Sequence, residues 1–121
     1  MSSIFSVKKT GDLTIAEFLK QEITMHEIEE VKKELSEIIE NESKDLLLSF
    51  KKLEFISSLV LAALVYVLKE VRKNNGKLKF CELKDKVKEV FAVTDLDKVF
   101  DIYPTENEAL AKFVEEGVKT A

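Results

Sequence analysis

Glycine occurs only three times in 121 residues, and proline, cysteine and histidine once each. So few chain breakers argue against long loops and linkers. The glycines Gly11, Gly76 and Gly117 lie far apart, which excludes a glycine-rich phosphate loop. Lone Cys81 cannot close an intramolecular disulfide and fits a reducing cytoplasm. A Cys-His catalytic pair would need His26 and Cys81 to meet in space, and two separated ligands do not make a zinc site. Basic excess is missing too: the net charge is −4, which argues against a nucleic-acid binder. The longest unbroken apolar run, Leu59 to Leu68, is about half of the ~20 residues a membrane-spanning helix needs. It reads as a buried helix, with no membrane contact expected. The opening "MSSIFSVKKTGD" has no apolar core of signal-peptide length, so no secretory leader is expected.

What remains is 45% apolar and 35% charged, the balance of a soluble globular protein. The length suits one domain, 1–121, able to bury roughly two-thirds of its surface without disulfides or metal.

The chain opens with two strand candidates around the turn "KTGD": Ile4 to Val7, then Leu13, Ile15 and Phe18. From Thr24 the period becomes helical, with Met25, Ile28, Val31, Leu35, Ile38 and Ile39 on one side. Thr24 with Glu27 has capping-box spacing. "DLLLSF" suits a strand buried on both faces. Ser57 or Ser58 caps a helix running to about Asn74, where Gly76 is expected to supply a left-handed turn. "KLKFCEL" reads as a strand, "KDKVKEVFAV" as a short helix and "DKVFDIY" as a last strand. In "TENEALAKFVEEG", Thr105 and Glu108 form a second capping box, and Ala109, Leu110, Phe113 and Val114 the buried stripe. The order β-β-α-β-α-β-α-β-α favours parallel pairing through right-handed crossovers, with the hairpin making the sheet mixed.

Catalytic chemistry is sparse. His26 reads as a surface residue and Cys81 as a buried thiol. The acidic pairs Glu29-Glu30, Asp95/Asp97 and Glu115-Glu116 read as solvated faces. Tyr66 and Tyr103, among apolar neighbours, read as packed rings with a polar tip. No cofactor and no enzymatic activity are expected. The one distinctive place is "FISSLV", where two serines open the apolar helix. A serine there caps the helix by accepting a backbone N–H, a contribution of ~0.5–2 kcal/mol. The same helix N-terminus would favour a phosphoryl group.

From Leu46 to about Phe113 the sequence closely resembles the STAS domain of bacterial anti-sigma factor antagonists. That family combines an apolar strand, a loop of the type "fiDSsGl" or "yiSSaGl", a helix ending in "k..r..Gg.l.l", and a closing "v..vf..tgldkvf.i....eeAl". Here the counterparts are "FISSLV", Lys69, Arg72, Gly76 and Leu78, and "TDLDKVFDIY". The resemblance implies a STAS-like α/β fold: a mixed β-sheet of about five strands with four helices. It implies a binding module whose partner is an anti-sigma factor with serine kinase activity, opposed by a PP2C-type phosphatase. By position, Ser58 takes the phosphoacceptor place and Ser57 the residue before it. The chain departs from the family at Ser57 and Ser49, where aspartate is common, and at Gln21 and Asp95, where glycine is common. Leu59 and Val60 replace the small residues that normally follow the acceptor.

Two readings follow. The first is a cytoplasmic regulator of a sigma factor, switched by phosphorylation of Ser58. The second is an unphosphorylated scaffold or interaction subunit, in a stable complex or homodimer, using an apolar partner-binding patch of Leu59 and Val60. A nucleotide-binding domain has no glycine-rich loop or convergent polar set behind it.

Overall fold

The computed structural model describes residues 4–120. The reading of the N-terminus as leaderless rests partly on residues 1–3, which lie outside the described residues, as does residue 121. Five strands are present: β1 (Phe5–Thr10), β2 (Leu13–Phe18), β3 (Asp45–Ser49), β4 (Leu78–Cys81) and β5 (Asp101–Tyr103). Four α-helices accompany them: α1 (Ile28–Asn41), α2 (Ser58–Lys73), α3 (Asp85–Val93) and α4 (Glu106–Glu115). The element order is the expected one. A 3-10 turn, Met25–Glu27, leads into α1, and another, Leu96–Lys98, takes up residues expected to start the last strand. Asp95 opens that second turn in the left-handed region, φ 60°. Glycine reaches that region most easily, and aspartate is among the few other residues that visit it.

The strands form one sheet in the order β1-β2-β3-β4-β5. β1 runs antiparallel to β2, and the remaining neighbours are parallel. This is the mixed α/β sheet expected from the alternation of helices and strands. All five residues of β3 are buried, because helices cover the sheet on both sides.

Side chains alternate across the sheet and so supply two cores. On one face α1, α2 and α3 press Val31, Leu35, Val60, Leu64, Val67 and Val87 onto the strands. A row of phenyl rings crosses that face. Phe5 meets Phe18 at 4.8 Å, Phe18 meets Phe50 at 5.1 Å, Phe50 meets Phe80 at 4.9 Å, and Phe80 stacks on Phe100 at 4.6 Å. Phe91 of α3 packs edge-on against Phe50, Phe80 and Phe100. The other face is smaller: Ala109 and Phe113 of α4, with Val118, lie on Leu13, Ile15, Leu47 and Cys81.

Several stripe positions were misassigned by periodicity alone. Met25 is 70% exposed, since it sits in the 3-10 turn before α1 rather than on its inner face. Val114 is exposed and Leu110 only partly covered, because Ala109 and Phe113 already fill the contact of α4 with the sheet. Tyr66 is also exposed, its ring beneath the Lys32 ammonium at 4.9 Å. The left-handed residue after α2 is Asn75, φ 59°, and not Gly76. Gly76 is needed for space: a Cβ there would overlap the Lys44 carbonyl oxygen. Gly76→Ala should therefore lower stability by at least about 2 kcal/mol in urea unfolding; an unchanged midpoint would contradict the close approach.

One charged residue is buried in the α4 core. Lys79 of β4 donates to Glu116 at 2.9 Å and lies 3.4 Å from Asp101, with the Phe113 and Tyr103 rings at 5.1 and 5.5 Å. Burial opposes its charge, but the Glu116 bond and the Asp101 carboxylate outweigh that and hold its pKa above the usual value. The Lys79 bond holds Glu116 below the usual carboxylate value. The lysine therefore stabilises fully below its unfolded pKa and loses this as pH rises through the folded value. The carboxylate stabilises above its unfolded pKa and loses this as pH falls through the folded value. Glu116→Gln should lower the melting temperature at neutral pH and flatten its decline in acid; a parallel shift of the whole pH curve would show that the pair is not the titrating element.

Candidate functional site

In open sheets with parallel strands, ligands and partners gather at the carboxyl ends of the strands. Here β2, β3 and β4 end at Phe18, Ser49 and Cys81, and the chain segments that follow lead to α1, α2 and α3. The segment from Phe50 to Ser57 is tied down from below and from the side. Phe50 N–H donates to the Cys81 carbonyl at 3.0 Å and its ring joins the phenyl row. Leu53 is fully buried. Glu54 and Phe55 N–H both donate to the Gln21 carbonyl, at 2.8 and 3.2 Å. Gln21 thus acts through its backbone.

The two serines differ in their environment. Ser57 is the N-cap of α2, extended at φ −98° and ψ 166°, and its hydroxyl accepts from Val60 N–H at 3.3 Å. Ser58 is the first helical residue, exposed, with no side-chain hydrogen bond to another described residue. No acidic residue lies in the first turn of α2. The helix N-terminus, with its unsatisfied N–H groups and positive dipole end, therefore faces no carboxylate of its own turn.

Leu59 and Val60 do not form a shared patch. Leu59 is 50% exposed, but Val60 is 1% exposed and belongs to the main core. One residue along a helix is a rotation of about 100°, so adjacent positions at the edge of a core fall on opposite sides. The exposed apolar neighbours of Leu59 are instead Phe55, 50% exposed, and Met25. With Ile23, Ile56 and Ser57 they line a shallow groove of about 420 Å³. The Lys86 ammonium sits 5.4 Å from the Phe55 ring at one side. Sequence reasoning missed Phe55 and Met25 in this role. The available signal was position: both lie just before a helix start, where the chain has not yet turned its side chains to the core.

The other singled-out residues stand apart. Ser49 is buried beside Cys81 in the sheet and its hydroxyl accepts from Lys51 N–H at 3.4 Å. Burial, reinforced by the Glu106 charge, pushes the Cys81 thiol up to about 12, so it is no nucleophile at neutral pH. His26 is exposed in the turn before α1, away from the α4 core that seals Cys81. Glu82 was not foreseen: left-handed at φ 62°, it accepts from Glu106 N–H at 2.7 Å and so caps α4 alongside Thr105. Among the described residues no group of three or more His, Cys, Asp or Glu side chains could hold a metal ion, and no helix is long and apolar enough to cross a membrane.

The family model of the STAS domain matches residues 5–109. A Bordetella bronchiseptica protein, BtrV, named as a candidate anti-sigma factor antagonist, is 31% identical over 85 residues, which cover 70% of this chain and 73% of that one. Among solved structures, a Thermotoga maritima protein described as a candidate anti-sigma factor antagonist superposes with a TM-score of 0.83 at 26% identity, covering 91% of this chain and 94% of its own. The anti-sigma factor antagonist SpoIIAA in its unphosphorylated form gives 0.75 at 20% identity, covering 95% and 99%. The Bacillus SpoIIAA in its phosphorylated form gives 0.67 at 19%, covering 89% and 97%.

The contrast between neighbouring positions is open to test. Leu59→Asp should leave the melting temperature almost unchanged, whereas Val60→Asp should cost more than about 3 kcal/mol by burying an unpaired carboxylate. Equal losses would contradict the assignment of Leu59 to the surface.

Proposed function

The chain belongs to the STAS domain family, and from that premise we propose that it antagonises an anti-sigma factor in the cytoplasm through a contact switched at Ser58. The observation that carries the reading is the difference between the two serines. The Ser57 hydroxyl is occupied as the helix cap, while the Ser58 hydroxyl projects from the first helical position with no side-chain hydrogen bond among the described residues. A modifying enzyme can engage the second without uncapping α2.

In the unmodified state, the groove beside Leu59, Phe55 and Met25 receives the anti-sigma factor, which is also a serine kinase. Transfer of the ATP γ-phosphoryl forms a bond from Ser58 Oγ to phosphorus. The bond to ADP breaks, and the hydroxyl proton passes to a base on the kinase. The product carries close to two negative charges at neutral pH. At the start of α2 the helix amides favour that charge, and no first-turn carboxylate opposes it. For a partner seated on the adjacent apolar side chains the same charge is costly, because docking would strip water from it. Modification therefore releases the partner, and hydrolysis by a PP2C-type phosphatase restores the contact. The phosphorylated form recorded for SpoIIAA supports this reading by likeness of fold.

A second reading, an interaction subunit that is never phosphorylated, draws on the neutral Ser49 and Ser57 and on the exposed Leu59. Incubation with an anti-sigma factor of the serine-kinase type and ATP, followed by intact mass, separates the two. One phosphoryl group should be gained by the wild type and by Ser57→Ala, and none by Ser58→Ala. A gain that persists in Ser58→Ala, or none in any form, rejects Ser58 as the switch.

A further inference from the structure

We infer that Asn75–Gly76 is a deamidation site that the folded end of α2 holds closed, so that the chain is marked covalently when that end unfolds. Asparagine is among the thermolabile side chains. Its amide is lost when the main-chain nitrogen of the next residue attacks the amide carbon, and a glycine in that place obstructs the attack least. Of the four asparagines, Asn41 and Asn107 precede glutamate and Asn74 precedes Asn75; Asn75 alone precedes a glycine. It is also exposed to the water that the reaction consumes. In the first step the Gly76 nitrogen bonds to Cγ of Asn75, the bond from Cγ to Nδ2 breaks, and the proton from Gly76 leaves with the ammonia. Water then opens the cyclic imide. Cleavage at Cγ leaves an aspartate. Cleavage at the main-chain carbonyl carbon leaves an isoaspartate, whose backbone runs through the side chain and is longer by a carbon.

The fold blocks the first step. Past the last residue of α2, the Asn75 N–H donates to the Arg72 carbonyl at 3.0 Å and the Gly76 N–H to the Val71 carbonyl at 2.9 Å. With Asn75 left-handed at φ 59°, these two bonds close the helix end. The nitrogen that must attack is therefore committed to a helix carbonyl, and its N–H points there rather than at the Asn75 amide. The next residues are pinned as well. The Lys77 N–H donates to the Asp45 carboxylate at 2.9 Å, and Gly76 lies against the Lys44 carbonyl with no room to shift. The same contacts oppose the isoaspartate. An added backbone carbon between Asn75 and Gly76 has to fit between the helix closure on one side and the Asp45 contact on the other. A chain that opens, reacts and closes again thus closes less firmly. The site lies at the opposite end of α2 from Ser58 and is independent of the reading given to that serine.

Incubation of the full chain at mildly alkaline pH, in guanidinium concentrations that span its unfolding transition, tests this, with peptide mapping by mass and an isoaspartate assay as the readouts. Asn75 should convert at least roughly tenfold faster in the unfolded chain than in the folded one, and the rate should rise in step with the unfolded fraction. Equal rates on the two sides of the transition, or an unfolded chain in which Asn75 is not the first asparagine to convert, would overturn the proposal. The Asn75→Asp variant, which keeps the backbone length, separates the two products. It should melt close to the wild type, because aspartate also visits the left-handed region. The isoaspartyl chain, refolded from guanidinium, should melt at least several degrees lower. An isoaspartyl chain that melts with the wild type would show that the helix closure absorbs the longer backbone, and the weakening on reclosure would be rejected.

Discussion

The row of phenyl rings from Phe5 to Phe100 is the constraint on which the rest of the molecule depends. It draws one ring from each of β1, β2 and β4, and from the residues next to β3 and β5. Because β1 runs against the others, its first residue lies beside the last residue of β2, and the row follows the carboxyl ends of β2, β3 and β4 before reaching the amino end of β5 at Phe100. Phe50 holds a middle place in it, and Phe50 is also the first residue of the segment that leads to the serines. Ring contacts of this kind contribute beyond the area they bury, and they fix orientation as well as distance. The placement of Ser57 and Ser58 is therefore a consequence of core packing and does not rest on the loop alone.

Above that row, the chemistry of the site is set by what the first turn of α2 lacks. A capped, acid-free helix start leaves its positive end open to an added negative charge. The apolar residues around it have a different origin. Phe55 and Met25 are exposed because each precedes a helix start, and Leu59 because it lies just off the buried side of α2. A hydroxyl at a helix N-terminus beside exposed apolar groups suits a contact that added charge can disrupt. The one thiol is buried and held protonated at neutral pH, and the one histidine is in solvent.

Much of the fold was legible residue by residue. The turn at Gly11, a serine cap on α2 (Ser57 or Ser58, of which the structure uses Ser57) and the Thr105 cap of α4 are local events, decided by side chains within three or four positions of the groups they serve. The same holds for β3, whose unbroken apolar run announced burial on both faces. What failed were assignments at the margins of a stripe. Met25 and Val114 fit the helical period yet lie outside the contact. Val60 and Leu59 are both apolar and adjacent, and the sequence alone offers no means of separating core from surface. Gly76 was recognised as necessary for a reason of conformation, but its necessity comes from Lys44, 32 positions away along the chain.

The sequence by itself determined the order of elements, their boundaries to within a few residues, and that one of two adjacent serines caps α2, while the structure assigned the cap to Ser57. These depend on short-range hydrogen bonds and on the periods of the two regular backbones. Only the tertiary structure decided which of the neighbouring apolar side chains faces solvent beside Ser58. It alone also decided that Lys79 is buried against Glu116, a residue 37 positions later. Burial and ion pairing depend on the element that arrives from elsewhere in the chain, and no local pattern encodes where α1 ends its contact with α2 or where α4 comes to rest on the sheet.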